Sequence, residues 1–144
     1  MSLINQYYSA DHDRLDCLYA QFKAQFSLQP DNAKALFEVF SRDLYLHIKW
    51  EEQVLFPFFE ESTGMQCGPT KVMTEEHQII KSLLDNIHSH ISQEDTLPEH
   101  DLASLEAILL QHNQKEENIL YPMIDQISND AKNAELFIAM SKLS

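Results

Sequence analysis

The sequence predicts an all-α fold: an antiparallel up-down-up-down four-helix bundle followed by a short fifth helix. Three observations predict it. The 144 residues include only two glycines, Gly64 and Gly68, and five prolines, too few turn formers for a β-rich or strand–helix alternating chain. Apolar residues recur at steps of three and four through four long segments, which is the helical period. Short breaker-rich stretches separate those segments, and short connections favour antiparallel neighbours.

The first helix is expected over about residues 3–26, with Tyr8, Leu15, Tyr19, Phe22 and Phe26 on its apolar stripe, stopping before Ser27-Leu28-Gln29-Pro30. The second covers about residues 31–62, with Asp31 as its N-cap and Leu36, Phe40, Leu44, Leu55 and Phe58 on the stripe, ending before Gly64. Gly68-Pro69 opens the third, which continues to about residue 93 through Met73, Ile80, Leu84, Ile87 and Ile91. Asp95-Thr96-Leu97-Pro98 turns the chain into the fourth, about residues 99–127, with Leu102, Leu105, Leu109, Leu120 and Met123. Asn129 or Asp130 caps the fifth, about residues 130–143. Pro57 and Pro122 are expected to kink the second and fourth helices. The length favours one domain, residues 1–144, made of a bundle over about 3–127 and a C-terminal helix.

Composition narrows the function classes. Ten Lys+Arg against 23 Asp+Glu give a net charge of −13, which argues against nucleic acid or an anionic membrane as partner. The apolar runs are far short of the roughly 20 residues a membrane span needs. The start lacks a basic segment leading into an apolar one, so no secretory signal is expected. Glycine-rich phosphate loops are absent. Cys17 and Cys67 form no CxxC pair, and a cytoplasmic location is expected.

Each stripe has a gap, and the gaps hold a pattern. The second helix continues through His47 and Glu51, the fourth through His112 and Glu116, and the first and third place His12 and His77 there. In a hairpin, residues equidistant from the turn share a level. His12 and His47 have their midpoint at 29.5, His77 and His112 at 94.5, and Glu51 and His77 at 64. All three midpoints fall within the assigned turns, so the six side chains are expected in one layer. A repeat supports this: His12 to His77, His47 to His112 and Glu51 to Glu116 all share an offset of 65. HIKWEEQVLFPFFE and HNQKEENILYPMID match at His, both Glu, Leu and Pro, with Phe56 against Tyr121.

Imidazole with carboxylate suits iron, manganese or zinc, whereas all-oxygen sets suit magnesium or calcium. Four histidines supply one nitrogen each, and two bridging carboxylates supply two oxygens each. Two six-coordinate metals sharing one solvent-derived bridge then keep about one open position apiece, where dioxygen or nitric oxide would bind. Without a cation, two carboxylates in an apolar layer would be costly.

The pattern of Asp11-His12, His47-x-x-x-Glu51, Glu76-His77 and His112-x-x-x-Glu116 resembles the hemerythrin-like, or HHE cation-binding, family over about residues 7–127. The resemblance implies a hemerythrin-like bundle with a non-haem di-iron centre, His12, His47, His77 and His112 as terminal ligands and Glu51 and Glu116 as bridges. Oxygen-carrying members use five histidines, with a second histidine where this chain has Lys81. The four-His, two-Glu set is most similar to the di-iron domains of Repair of Iron Centers proteins. Their usual N-terminal cysteine-bearing domain has no counterpart in this sequence.

Other residues are expected to play lesser parts. Glu52 and Glu117 stand about 100° around the helix from the bridging positions and are expected to face solvent. Asp16 is expected to be solvated or to act on the ligands from outside. Tyr8, Tyr45, Trp50 and Tyr121 are expected to pack, Cys17 to sit in the core, and His88, His90 and His100 to be solvated. The functional expectation is a di-iron protein that binds or responds to dioxygen or nitric oxide. The alternatives are an iron donor for damaged iron centres and a metal-free helical interaction module. Oxidase or peroxidase chemistry has no substrate pocket legible in the sequence.

Overall fold

The computed structural model describes residues 2–144. Every regular element in it is helical: α1 (Leu3–Gln25), α2 (Pro30–Trp50), a π-helical turn (Glu51–Leu55), α3 (Phe56–Thr63), α4 (Pro69–Gln93), α5 (Glu99–Lys115), a second π-helical turn (Glu116–Leu120), α6 (Tyr121–Ile127) and α7 (Asp130–Ser141). The first four expected helices are therefore α1, the run from α2 to α3, α4, and the run from α5 to α6. They form the expected bundle, with α7 as the fifth helix. Among the described residues no helix is long and apolar enough to cross a membrane.

The helix ends have local causes. Gln29, not Asp31, takes the cap position of α2. Pro30 fits the first turn because its fixed φ is already helical and its missing N–H has no partner to lose there. Asp31 lies in that first turn, where its charge favours the helix N-terminus. Gly64 ends α3 at φ 74°, a left-handed conformation that side chains with a Cβ resist. The start of α1 is capped from a distance. Ile4 N–H donates to Asp125 Oδ1 at 2.9 Å and Asn5 N–H to Oδ2 at 3.0 Å. Asn129 caps α7 by accepting from the Lys132 N–H.

The two π-turns change which face is buried. One extra residue per turn rotates everything downstream, so the core positions after Leu55 and Leu120 are Phe56, Phe59, Tyr121 and Ile124. Phe58 and Met123, expected on the stripe, are only partly buried. The structure thus places a widened turn before Pro57 and Pro122. A proline ring clashes with the carbonyl four residues back in a regular α-helix, and the wider turn relieves that clash.

Two apolar clusters bracket the middle of the bundle. One joins Leu15, Phe22, Phe37, Phe40, Leu44, Ile80, Leu84, Ile87 and Leu105 toward the α1–α2 and α4–α5 turns. The other joins Ile4, Tyr8, Leu55, Phe56, Phe59, Met73, Leu120 and Ile124 with Leu136 and Met140 of α7. Helix α7 therefore closes one end of the bundle, and Tyr8 Oη donates to Met140 Sδ at 3.1 Å. Cys17, expected in the core, is exposed, because Leu15 and Phe22 already mark the buried face of α1.

Candidate metal centre

Between the two clusters lie the six polar side chains singled out by the sequence. His12, His47, His77, His112, Glu51 and Glu116 are all buried, and both glutamates have no exposed surface. The histidines pair by hairpin: His12 and His47 have ring centroids 4.8 Å apart, and so do His77 and His112. The single layer expected from the turn midpoints is present.

Each glutamate reaches both pairs. Glu116 Oε1 is 3.1 Å from His12 Nε2, and its Oε2 is 3.3 Å from His112 Nε2. Glu51 Oε1 is 3.1 Å from His77 Nε2, and its Oε2 is 3.8 Å from His47 Nε2. Two groups of converging donor atoms result, Glu51, His77, His112 and Glu116 on one side and His12, His47 and Glu116 on the other. The two groups share Glu116.

The outward nitrogens are held just as regularly. Nδ1 of His47 lies 2.8 Å from Asp11, Nδ1 of His77 lies 2.7 Å from Glu52, Nδ1 of His112 lies 2.8 Å from Glu76, and Nδ1 of His12 lies 2.7 Å from Glu117. These contacts run in a ring: α1 holds the histidine of α2, the π-turn after α2 holds that of α4, α4 holds that of α5, and the π-turn after α5 holds that of α1. A carboxylate at Nδ1 keeps the proton there, so the Nε2 lone pair points inward. Glu52 and Glu117, expected in solvent, belong to this ring. A position 100° from the inward face of a bundle helix meets the neighbouring helix rather than water. Lys115 also pairs with Glu76, while Lys81 Nζ is 3.9 Å from Glu52. Asp16 is exposed, and His88 and His100 are likewise on the surface.

One residue at the centre was expected only to pack. Tyr121 Oη lies 2.6 Å from Glu51 Oε2, 3.0 Å from Glu116 Oε1, 3.3 Å from His12 Nε2 and 3.4 Å from His47 Nε2. Its counterpart in the other half, Phe56, stacks on His77 with centroids 5.8 Å apart and planes 5° apart. Tyr8 packs edge-on to His47 and carries its hydroxyl away to Met140. Tyr45 lies away from the centre and bonds Asp85. The signal for Tyr121 was the one aromatic pair in the repeated segment, Phe56 against Tyr121, which differs by a hydroxyl.

The residues fit a cation. Glu51 Oε1, His77 Nε2 and Glu116 Oε2 are buried without hydrogen-bond partners, although they face one another at close range. Such groups are costly unless something neutralises them. In the metal-free protein, protons take that part. Burial opposes the charge on His12 and His77, but contact with Glu116 and Glu51 outweighs it and lifts each to about 9. Burial and the charge of Glu116 raise Glu51 above the usual carboxylate range.

The chain matches the family model described as hemerythrin HHE cation binding domain over residues 3–124. Curated relatives in Salmonella paratyphi B, Salmonella newport and Salmonella heidelberg, each named iron-sulfur cluster repair protein YtfE, are 33% identical over 91 residues. These matches cover 56% of this chain and 41% of each relative. The chain spans less than half the length of these relatives. No solved structure gives a significant match.

Proposed function

The chain belongs to the hemerythrin HHE cation-binding domain family, and from that membership we propose that it holds two iron ions in a non-haem centre that binds dioxygen or nitric oxide. His12 and His47 would hold one ion, His77 and His112 the other, and Glu51 and Glu116 would supply an oxygen to each. The observation that carries this is the reach of the two carboxylates, each with one oxygen toward either histidine pair. When bound, the iron pair supplies a redox-active Lewis-acid site for a small diatomic ligand.

The chain's own side chains do the rest. Asp11, Glu52, Glu76 and Glu117 fix the four imidazole tautomers and their orientation. The apolar clusters on either side exclude water, which strengthens every electrostatic contact in the layer. The decisive experiment is a metal count on freshly purified protein by mass spectrometry, which also separates iron from manganese and zinc. It is followed by anaerobic titration of the ferrous protein with nitric oxide and then dioxygen. Two irons per chain and a changed visible spectrum are expected; indifference to both gases defeats the reading.

A second reading rests on the curated relatives, which are named for iron–sulfur cluster repair. On it, this chain donates iron to damaged centres. Rapid transfer of iron to an apo acceptor protein supports it, and indefinite retention against a mild chelator counts against it. The two free cysteines suit a reducing compartment such as the cytoplasm.

A further inference from the structure

We propose that Tyr121 is itself a ligand of one cation, the one on His12 and His47, and that the open coordination position belongs to the other cation. This rests on the two-cation reading above. One oxygen, Tyr121 Oη, carries it by its position. Metal–nitrogen and metal–oxygen bonds of about 2.1 Å put adjacent vertices of an octahedron about 3.0 Å apart and opposite vertices about 4.2 Å apart. Tyr121 Oη lies 2.6, 3.0, 3.3 and 3.4 Å from Glu51 Oε2, Glu116 Oε1, His12 Nε2 and His47 Nε2. All four are neighbour distances and none is an opposite one. The hydroxyl sits where a fifth donor sits beside four others.

Among the described residues the other half has no such donor. There the offset of 65 puts Phe56, whose ring is buried and lies flat against His77. With Glu51 Oε2, which is 3.8 Å from His47 Nε2 and 2.6 Å from Tyr121 Oη, counted as a bridge, the His12–His47 cation would take five protein donors and the His77–His112 cation four. If each is six-coordinate and the two share one non-protein ligand, the first is complete and the second is one short. The Phe56 side would then be the side with room for a small ligand. Ligation breaks the O–H bond that now points at Glu51. The oxygen lone pair forms the metal bond and the proton leaves to solvent, as metal binding to protonated ligands requires. No electron changes hands in this step.

The test uses the full chain loaded with ferrous iron and then oxidised. Visible absorption and resonance Raman spectra are recorded alongside the iron count. A phenolate-to-ferric charge-transfer band is expected, carrying ring modes that shift when the protein is made with ring-deuterated tyrosine. Tyr121→Phe should abolish the band and keep two irons per chain, while Tyr45→Phe leaves it intact. Phe56→Tyr should strengthen it by supplying a second phenol. Should Tyr121→Phe fail to fold, the label shift in the unsubstituted protein decides, since among the described residues the other tyrosine hydroxyl beside the layer, on Tyr8, is engaged with Met140. Two irons with no label-sensitive band, or a band that survives Tyr121→Phe, overturns the assignment and leaves the di-iron reading standing. A chain that binds no iron overturns both.

Discussion

The two halves of the centre share one plan and differ most at one side chain. Each has two histidines from a helical hairpin, a carboxylate within the hairpin at one imidazole, a carboxylate from the other hairpin at the second, and one oxygen from each buried glutamate. Where the His12–His47 half has the Tyr121 hydroxyl, the His77–His112 half has the carbon edge of Phe56. Repetition built the shared plan, because an offset of 65 superposes every one of those positions. The difference teaches that a repeated set of imidazoles and carboxylates need not give two equivalent sites.

Glu51 and Glu116 reach the histidines of both halves, so losing either should have the largest effect. Glu51→Ala and Glu116→Ala are each expected to take the metal content from two per chain to none, whereas His77→Ala should leave one cation on the His12–His47 side. A metal count on each variant checks this, and equal losses for all three would break the comparison. Metal removal comes next. A cation present at a thousand times its Kd stabilises by about 4 kcal/mol, so chelation should lower the Tm by roughly 10 °C or more. The metal-free protein should also depend on pH in a particular direction. His12 and His77 are raised to about 9, so their contribution is full below the ordinary histidine pKa of about 6.5 and is lost as pH rises through about 9. Denaturation of the chelated protein across that window measures it, and flat stability would contradict it.

The outer carboxylates should follow, and unequally. Asp11 is 11% exposed and Glu117 35%, although both hold histidines of the same half. Removing such a partner typically costs about 10–100-fold in metal affinity. Asp11→Asn is expected near the upper end and Glu117→Gln near the lower, by competition against a chelator. The smallest effect should come from making the halves more alike at the surface. The offset pairs exposed Cys17 with exposed Ser82, and Cys17→Ser should change stability by no more than about 0.5 kcal/mol in a denaturant titration.

The six buried donors were legible because they interrupt an otherwise regular apolar stripe and because hairpin symmetry fixes their level. Glu52 and Glu117 were not. Their angle around the helix was read correctly, but in a bundle that angle faces a seam between helices, where a long carboxylate reaches a neighbour's Nδ1. Tyr121 was missed for a different reason. Five residues beyond Glu116 in an α-helix is about 140° around the axis, away from the site. In the π-turn the Tyr121 N–H bonds back to the Glu116 carbonyl, five residues earlier, and the side chain returns over the cluster. The same rotation moved burial from Phe58 to Phe59 and from Met123 to Ile124.

By itself, then, the sequence determined the helices, their antiparallel order and the meeting of four imidazoles with two carboxylates, because period and turn spacing are local properties of a chain. Only the tertiary structure decided which carboxylate steadies which imidazole and that a phenol enters one half alone. Those choices depend on what lies across a helix seam and on one extra residue in a turn, and neither is written in the 3.6-residue repeat.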